Sequence, residues 1–368
     1  MGEEYTVAMD GQGREIRGRG AEWNPPNRFI PLHVIPDPES GEEGPSPRTE
    51  FFEDHSRSII TTNDSPDVGF EASLNPYRGC EHGCSYCYAR PYHEYLGLSA
   101  GLDFETKIMA KQDTPELLRK ELSSPKWKPK VLSMSGITDC YQPVERKLQI
   151  TRRCLQVLLE FRNPVSIITK NHLVTRDLDL LRELARFRAI AVCVSITTLD
   201  ADLSGKLEPR ASRPPLRLEA VRALREAGVP VGVNVAPIIP GLTDHEVPAI
   251  LKAAAAAGAQ SAGYTIVRLP YAVKDVFQAW LETHFPDRKK KILHRIREMR
   301  DGKLNDPNFF SRMRGKGIYA KQIHDLFAIS RRRAGIPQSW PRLSTAHFCR
   351  PGETQLSLFK TQTFIFKR

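Results

Sequence analysis

NPYRGCEHGCSYCYAR, residues 75–90, places three of the chain's seven cysteines, Cys80, Cys84 and Cys87, within eight positions. Their spacing is C-x3-C-x2-C. Thiolates are soft ligands that select zinc, copper(I) or iron–sulfur clusters. Structural zinc sites close four positions, usually from two separated ligand pairs. Here a fourth ligand would have to come from elsewhere, and His82 and His93 are the nearest candidates. Three thiolates on a [4Fe–4S] cluster leave one iron without a protein ligand. An open position is what catalysis needs. At this point zinc and an open cluster both stand.

The sequence around the loop alternates. Short β-branched runs read as strands: VLSMSG (131–136), VSIITK (165–170), IAVCVSITT (190–198), VPVGVNVAPII (229–239) and AGYTIVRL (262–269). Between them, TRRCLQVLLEFR (151–162), DLDLLRELARF (177–187), PLRLEAVRALREAG (215–228) and DHEVPAILKAAAAAG (244–258) read as helices, with Gly228 and Gly258 closing two of them. In the third helix Leu218, Val221 and Leu224 form the apolar stripe, with Arg225 at its edge. A first strand near FEASLN makes six β/α repeats. Such alternation predicts a parallel sheet, closed as a partial barrel or open and doubly wound, with chemistry at the C-terminal ends of its strands. The cysteine loop follows the first strand, at that edge.

The chain has 368 residues, 40% of them hydrophobic, enough for one large core with appendages. Residues 1–65 are rich in Gly, Pro and charge and read as a flexible or extended arm. Residues 66–271 form the β/α domain, 272–340 a basic helical extension and 341–368 a polar tail. No apolar run reaches the roughly 20 residues of a membrane helix, so no membrane association is expected. The N-terminus has no secretory pattern. An odd, clustered cysteine count does not fit a disulfide framework, so the expected location is the cytoplasm. The formal charge is +11, and residues 285–335 hold 15 lysines and arginines against five acids, a net of +10. Such a segment suits a polyanion, or serves as a solvated helical face.

The cysteine trio, Tyr86 just before its last member, and the loop's place after the first strand resemble the radical S-adenosylmethionine superfamily. The resemblance implies an α/β fold with a partial (βα)6 barrel. It implies a [4Fe–4S] cluster on Cys80, Cys84 and Cys87, with S-adenosylmethionine chelated by the open iron. In that family an electron from a reducing donor breaks the sulfur–C5′ bond, and the 5′-deoxyadenosyl radical takes hydrogen from the substrate. The implied cosubstrate contacts lie at the strand ends. They are Tyr86 beside the cluster, Ser135, Thr138 and Asp139 after the second strand, Lys170 at the end of the third, and Ser195 in the fourth. Glu208 and Arg210 lie in the following loop, and Asn234 and Arg268 on the last two strands.

Cys140 and Tyr141, with Lys170 and Ser195 downstream, further resemble the spore photoproduct lyase-like subgroup, which repairs a thymine dimer in DNA. That resemblance covers about residues 66–270 and implies Cys140 as hydrogen donor with Tyr141 as relay. The segment GITDCYQPVERK and the basic extension depart from the lyase pattern, so the substrate stays open. DNA, a peptide and a small molecule are all compatible with the chemistry, and a metal-stabilised nucleic-acid-binding module is the non-enzymatic reading. In the extension, Arg312, Arg314 and Lys316 interleave with Phe309, Phe310 and Tyr319 and read as a phosphate-tracking stripe. In the tail, Gln355, Leu356, Leu358 and Phe359 of QLSLF resemble the peptide by which bacterial repair proteins bind the sliding clamp.

Overall fold

β-Branched residues lose little rotamer freedom on a pleated surface, and the predicted runs are strands in the computed structural model, which describes residues 18–30 and 48–351. In chain order the strands are β1 (Glu50–Glu53), β2 (Ile60–Thr62), β3 (Ala72–Leu74), β4 (Tyr77–Arg78) and β5 (Lys107–Ala110). They continue as β6 (Leu132–Met134), β7 (Val165–Thr169), β8 (Ile190–Ser195), β9 (Val231–Ile238) and β10 (Ala262–Ile266). The main sheet runs β10-β9-β8-β7-β6-β3-β2. Every pair from β3 to β10 is parallel, and β2 lies antiparallel on β3 at one edge. The two ends of the sheet are different strands, so the barrel is partial.

The register fixes two faces, because side chains alternate along a strand. Ala72, Leu132, Val165, Ile190, Val192, Val194, Val231, Val233 and Ala262 enter the main core together with helix residues. The helix Ile150–Phe161 buries Ile150, Cys154, Leu155, Leu158 and Phe161, one stripe of a 3.6-residue period. The helix Pro214–Glu226 buries Val221 and Leu224 as expected, but the arginine turned inward is Arg217, not Arg225. Gly228 and Gly258 sit at φ +75° and +95° after their helices, where a left-handed residue closes the last turn. The intervening strand positions, including Ser166, Lys170, Cys193, Ser195, Gly232, Asn234 and Gly263, turn to the opposite, concave face. Trp340, from the segment after the last helix, lies against that face; a Cβ on Gly232 would meet its ring at 2.6 Å.

The segment expected as a loose arm is packed where described. Strand β1 pairs in parallel with β5, and β2 joins the main sheet. These strands take hydrogen bonds from the open edges of β5 and β3, a pairing that composition cannot reveal. The clamp-like residues Gln355, Leu356, Leu358 and Phe359 lie outside the described residues.

Candidate cluster site and the concave face

The cysteine loop is held from all sides before any ligand is considered. The Cys80 amide donates to the Phe104 carbonyl at 2.9 Å, and the Ser85 amide to the Leu207 carbonyl at 3.1 Å. The Glu81 carboxylate accepts from the Val144 amide at 2.6 Å. Arg90 is fully buried and donates to the carbonyls of Cys84 at 2.9 Å and Gly101 at 2.8 Å. It also pairs with the buried carboxylate of Glu105. Glu105 in turn accepts from the amides of Gly20 and Ala21 at 3.0 and 2.8 Å, which straps residues 18–30 over the loop. Gly83 has φ +65°, and a Cβ there would meet the Glu105 carboxylate at 2.5 Å, so only glycine permits the close approach.

Cys80 and Cys84 are each 7% exposed and Cys87 is partly exposed. Burial pushes all three thiols up, Cys84 to about 12, and Cys80 also feels the charges of Asp139, Cys84 and Cys87. The three thiols lie near enough to influence one another, and metal binding requires their thiolate forms. Among the described residues no three Cys, His, Asp or Glu side chains converge on one point, as a single ion requires. His93 spends Nε2 on the Lys107 carbonyl at 3.0 Å, and His82 lies between Asp139 at 3.4 Å and Asn171 at 3.2 Å. Both histidines nearest the trio are thus engaged with protein groups.

Several residues expected to hold the cosubstrate are instead committed to the protein. Asp139 accepts from the Thr169 hydroxyl at 2.8 Å and the Lys170 amide at 2.8 Å. The Ser135 hydroxyl accepts from the Cys140 amide at 2.9 Å, and the Thr138 hydroxyl donates to the Tyr77 carbonyl at 2.9 Å. Arg210 pairs with Glu81 at 3.2 Å and donates to the Thr49 hydroxyl at 3.0 Å. Glu208 is buried and receives the Tyr86 hydroxyl, the Thr197 hydroxyl and the Arg217 guanidinium. Burial alone would raise its pKa; the positive charges of Arg217 and Lys170 and these hydrogen bonds outweigh burial and bring it down to about 2. Tyr86 and Glu208 thereby tie the cysteine loop to the helix carrying Arg217.

The concave face behaves differently. Lys170 reaches it with its ammonium 5.9 Å from the Tyr86 ring centroid, near enough to pull on the Cys84 and Cys87 thiols. Among the described residues the side chains of Lys170, Ser195 and Asn234 make no hydrogen bond or ion pair with the protein. Arg268 leaves Nε unsatisfied and lies 5.3 Å over the Tyr88 ring. A cation, a hydroxyl and an amide without internal partners, beside three thiols, form a set able to take the carboxylate, amino and ribose groups of a cosubstrate.

Two residues read as chemical lie in the protein interior. Cys140 is fully buried in the main core, and Tyr141, also fully buried, donates its hydroxyl to Asp177 at 3.1 Å. A thiol on the concave face is that of Cys193, between the core residues Val192 and Val194. Burial pushes it up to about 12 against the pull of Lys170. Period-two alternation in IAVCVS was the signal for it. The cations of the basic stripe also bond within the protein: Arg312 pairs with Asp67, Arg314 donates to the Tyr264 carbonyl at 3.0 Å, and Lys316, still partly exposed, pairs with Asp301 at 2.6 Å.

The family model of the Radical SAM superfamily matches residues 74–254. An uncharacterized protein of Mycobacterium tuberculosis is 32% identical over 300 residues, covering 81% of this chain and 82% of its own length. One of Methanocaldococcus jannaschii is 30% identical over 178 residues, covering 48% and 64%. Among solved structures, spore photoproduct lyase complexed with dinucleoside spore photoproduct superposes with a TM-score of 0.55 at 18% identity, over 77% of this chain and 78% of that chain. At that identity the likeness shows the fold alone.

Proposed function

The chain belongs to the radical SAM superfamily and uses a [4Fe–4S] cluster and S-adenosylmethionine; from that premise we propose that it abstracts hydrogen from nucleic acid, in a repair reaction like that of spore photoproduct lyase. The observation that carries the reading is the presence of Lys170, Ser195 and Asn234, without hydrogen-bond or ion-pair partners among the described residues, on the face toward which the trio of Cys80, Cys84 and Cys87 is held. When bound, the cluster and cosubstrate supply a carbon-centred radical. The chain's own residues bind and orient. Cys80, Cys84 and Cys87 would hold the cluster, Lys170 the methionyl carboxylate, and Ser195 and Asn234 the remaining polar groups. The net charge of +11 favours a polyanionic substrate, and the solved structure of similar fold holds a dinucleoside photoproduct.

The decisive test uses anaerobically reconstituted protein and dithionite. Thymine-dimer-containing DNA, deuterated at the dimer, is expected to pass deuterium into 5′-deoxyadenosine. Release of 5′-deoxyadenosine that no nucleic acid stimulates or labels rejects the substrate class and leaves a peptide or small molecule as the target. Absence of a brown, cluster-bearing protein rejects the site assignment itself.

A further inference from the structure

Three chain segments far apart in sequence place exposed aromatic rings on one surface beside the cluster loop. Tyr88 follows the cluster ligand Cys87 directly and is 40% exposed. Tyr92 and Tyr95, on the 3-10 helix Arg90–Leu96, are 51% and 68% exposed, with ring centroids 6.4 Å apart. Phe29, on the strap from residues 18–30, stacks on Tyr95 at 4.9 Å and 29°. Arg28 then lies 5.0 Å from the Phe29 ring and 3.7 Å from that of Tyr271, in the loop after β10. Arg268, over Tyr88, borders the same surface.

Burying such rings would stabilise the chain, yet the structure holds them outward. Asn27 accepts from the Phe29 and Ile30 amides at 2.8 and 3.1 Å, and donates to the Glu94 and Leu98 carbonyls at 2.9 and 2.8 Å. Arg28 is anchored to Glu94 at 2.7 Å. Tyr271 is 59% exposed with φ +51°, a backbone region that bulky residues rarely adopt. The rings are thus positioned before anything binds.

The inference rests on the nucleic-acid reading above and gives it a surface. We propose that these rings form a docking platform for single-stranded nucleic acid, whose unpaired bases stack on Phe29, Tyr95 and Tyr271 while Arg268 meets a phosphate. Every base presents a π-face, so stacking of this kind tolerates sequence. The charge agrees: the rings alternate with guanidinium groups, and the carboxylate anchoring Arg28 has no side-chain exposure. Position separates this occupant from a protein partner, although aromatic and arginine residues also mark protein interfaces. The surface starts beside a cluster ligand at the edge where substrate must enter. A resident protein there would cover the entrance, whereas a bound strand delivers the substrate. A duplex hides its base faces, so an unpaired segment fits better.

The test measures fluorescence anisotropy of the full-length, cluster-loaded protein with labelled oligothymidylate, oligouridylate and a duplex, each of about 20 nucleotides, enough to span a stacking site. Single strands are expected to bind more tightly than duplex, with the thymidylate and uridylate arms separating DNA from RNA. A Phe29→Ala/Tyr95→Ala double variant is expected to lose about tenfold or more in affinity. Tyr95→Phe, which keeps the ring, should bind as the parent does. Unstimulated release of 5′-deoxyadenosine should be unchanged in both, which confirms an intact cluster site. Equal binding by the double variant and the parent overturns the platform and leaves the nucleic-acid reading standing, as does a preference for duplex. No binding of any oligonucleotide by the parent overturns both. Capture of a protein that depends on the same rings, without oligonucleotide binding, overturns the proposal in favour of a protein interface.

Discussion

The wall that carries the cysteines and the concave face opposite it follow contrary rules. In the wall, Glu81, Arg90, Glu105, Asp139, Glu208 and Arg217 all spend their polar groups on the protein. On the concave face, Lys170, Ser195 and Asn234 spend none. Their polar atoms are not among the buried ones left without a partner, so a ligand can reach them. The bonded wall positions the cysteine loop, with the Ser85 hydroxyl left without a partner inside it; the concave face offers its polar groups outward. A support tied in by buried bonds is what a precise site requires.

This contrast can be broken by substitution, and the expected effects scale with it. Replacing Cys80, Cys84 or Cys87 with alanine should abolish both the cluster absorption and the release of 5′-deoxyadenosine, read by visible spectroscopy and chromatography. A variant that keeps both would remove the wall from the site. Next in size, Arg217→Met strands the Glu208 carboxylate in the interior and should cost about 3–5 kcal/mol in a denaturant titration. The acid side of the same pair has a definite sign. The folded-state pKa of Glu208, about 2, lies below its ordinary value of 4.5. The pair's contribution is therefore present above about pH 4.5 and fades as pH falls toward 2. Glu208→Gln should be less stable than the parent at neutral pH and converge on it near pH 2; parallel stability curves over that range would contradict the pairing.

On the concave face the fold should survive and binding should suffer. Lys170→Met removes a charge-assisted contact worth about 1.5–3 kcal/mol. It is expected to raise the KM for S-adenosylmethionine by about 10- to 150-fold with an unchanged unfolding midpoint. A shifted midpoint with unchanged KM would place Lys170 in the wall. The smallest effects separate the two thiols. Cys140→Ala should lower the melting temperature by a few degrees, in line with about 1 kcal/mol lost from a packed core, and leave the product distribution intact. Cys193→Ala should leave stability nearly intact and change the products. The reverse pattern would return the hydrogen-donor role to Cys140.

The parts legible in the sequence were those set by local patterns. Five β-branched runs and the segment FEASLN became the six parallel strands of the main sheet because each could place alternate residues in the core. The three cysteines were legible because their ligand spacing is written along the chain. Buried charges were not legible, since an arginine or glutamate defaults to solvent unless a partner is found. Arg217 was partly visible: it shares a stripe with Val221 and Leu224, four and seven residues on, but the same pattern admitted Arg225 at the edge. Arg90 and Glu105 meet only because the chain folds back between them, and the strap from residues 18–30 closes over them. The Arg312–Asp67 pair was hidden for the same reason, since its members lie 245 positions apart.

By itself the sequence determined the alternation of strands and helices, the open ligand set of three thiols, and the strand ends from which Lys170, Ser195 and Asn234 project. Those follow from local geometry, which repeats every two or 3.6 residues. Only the tertiary structure decided which polar groups lack partners among the described residues, which thiol lies on the concave face, and which cations are paired. Partner choice depends on residues brought together across the fold, and no local period encodes it.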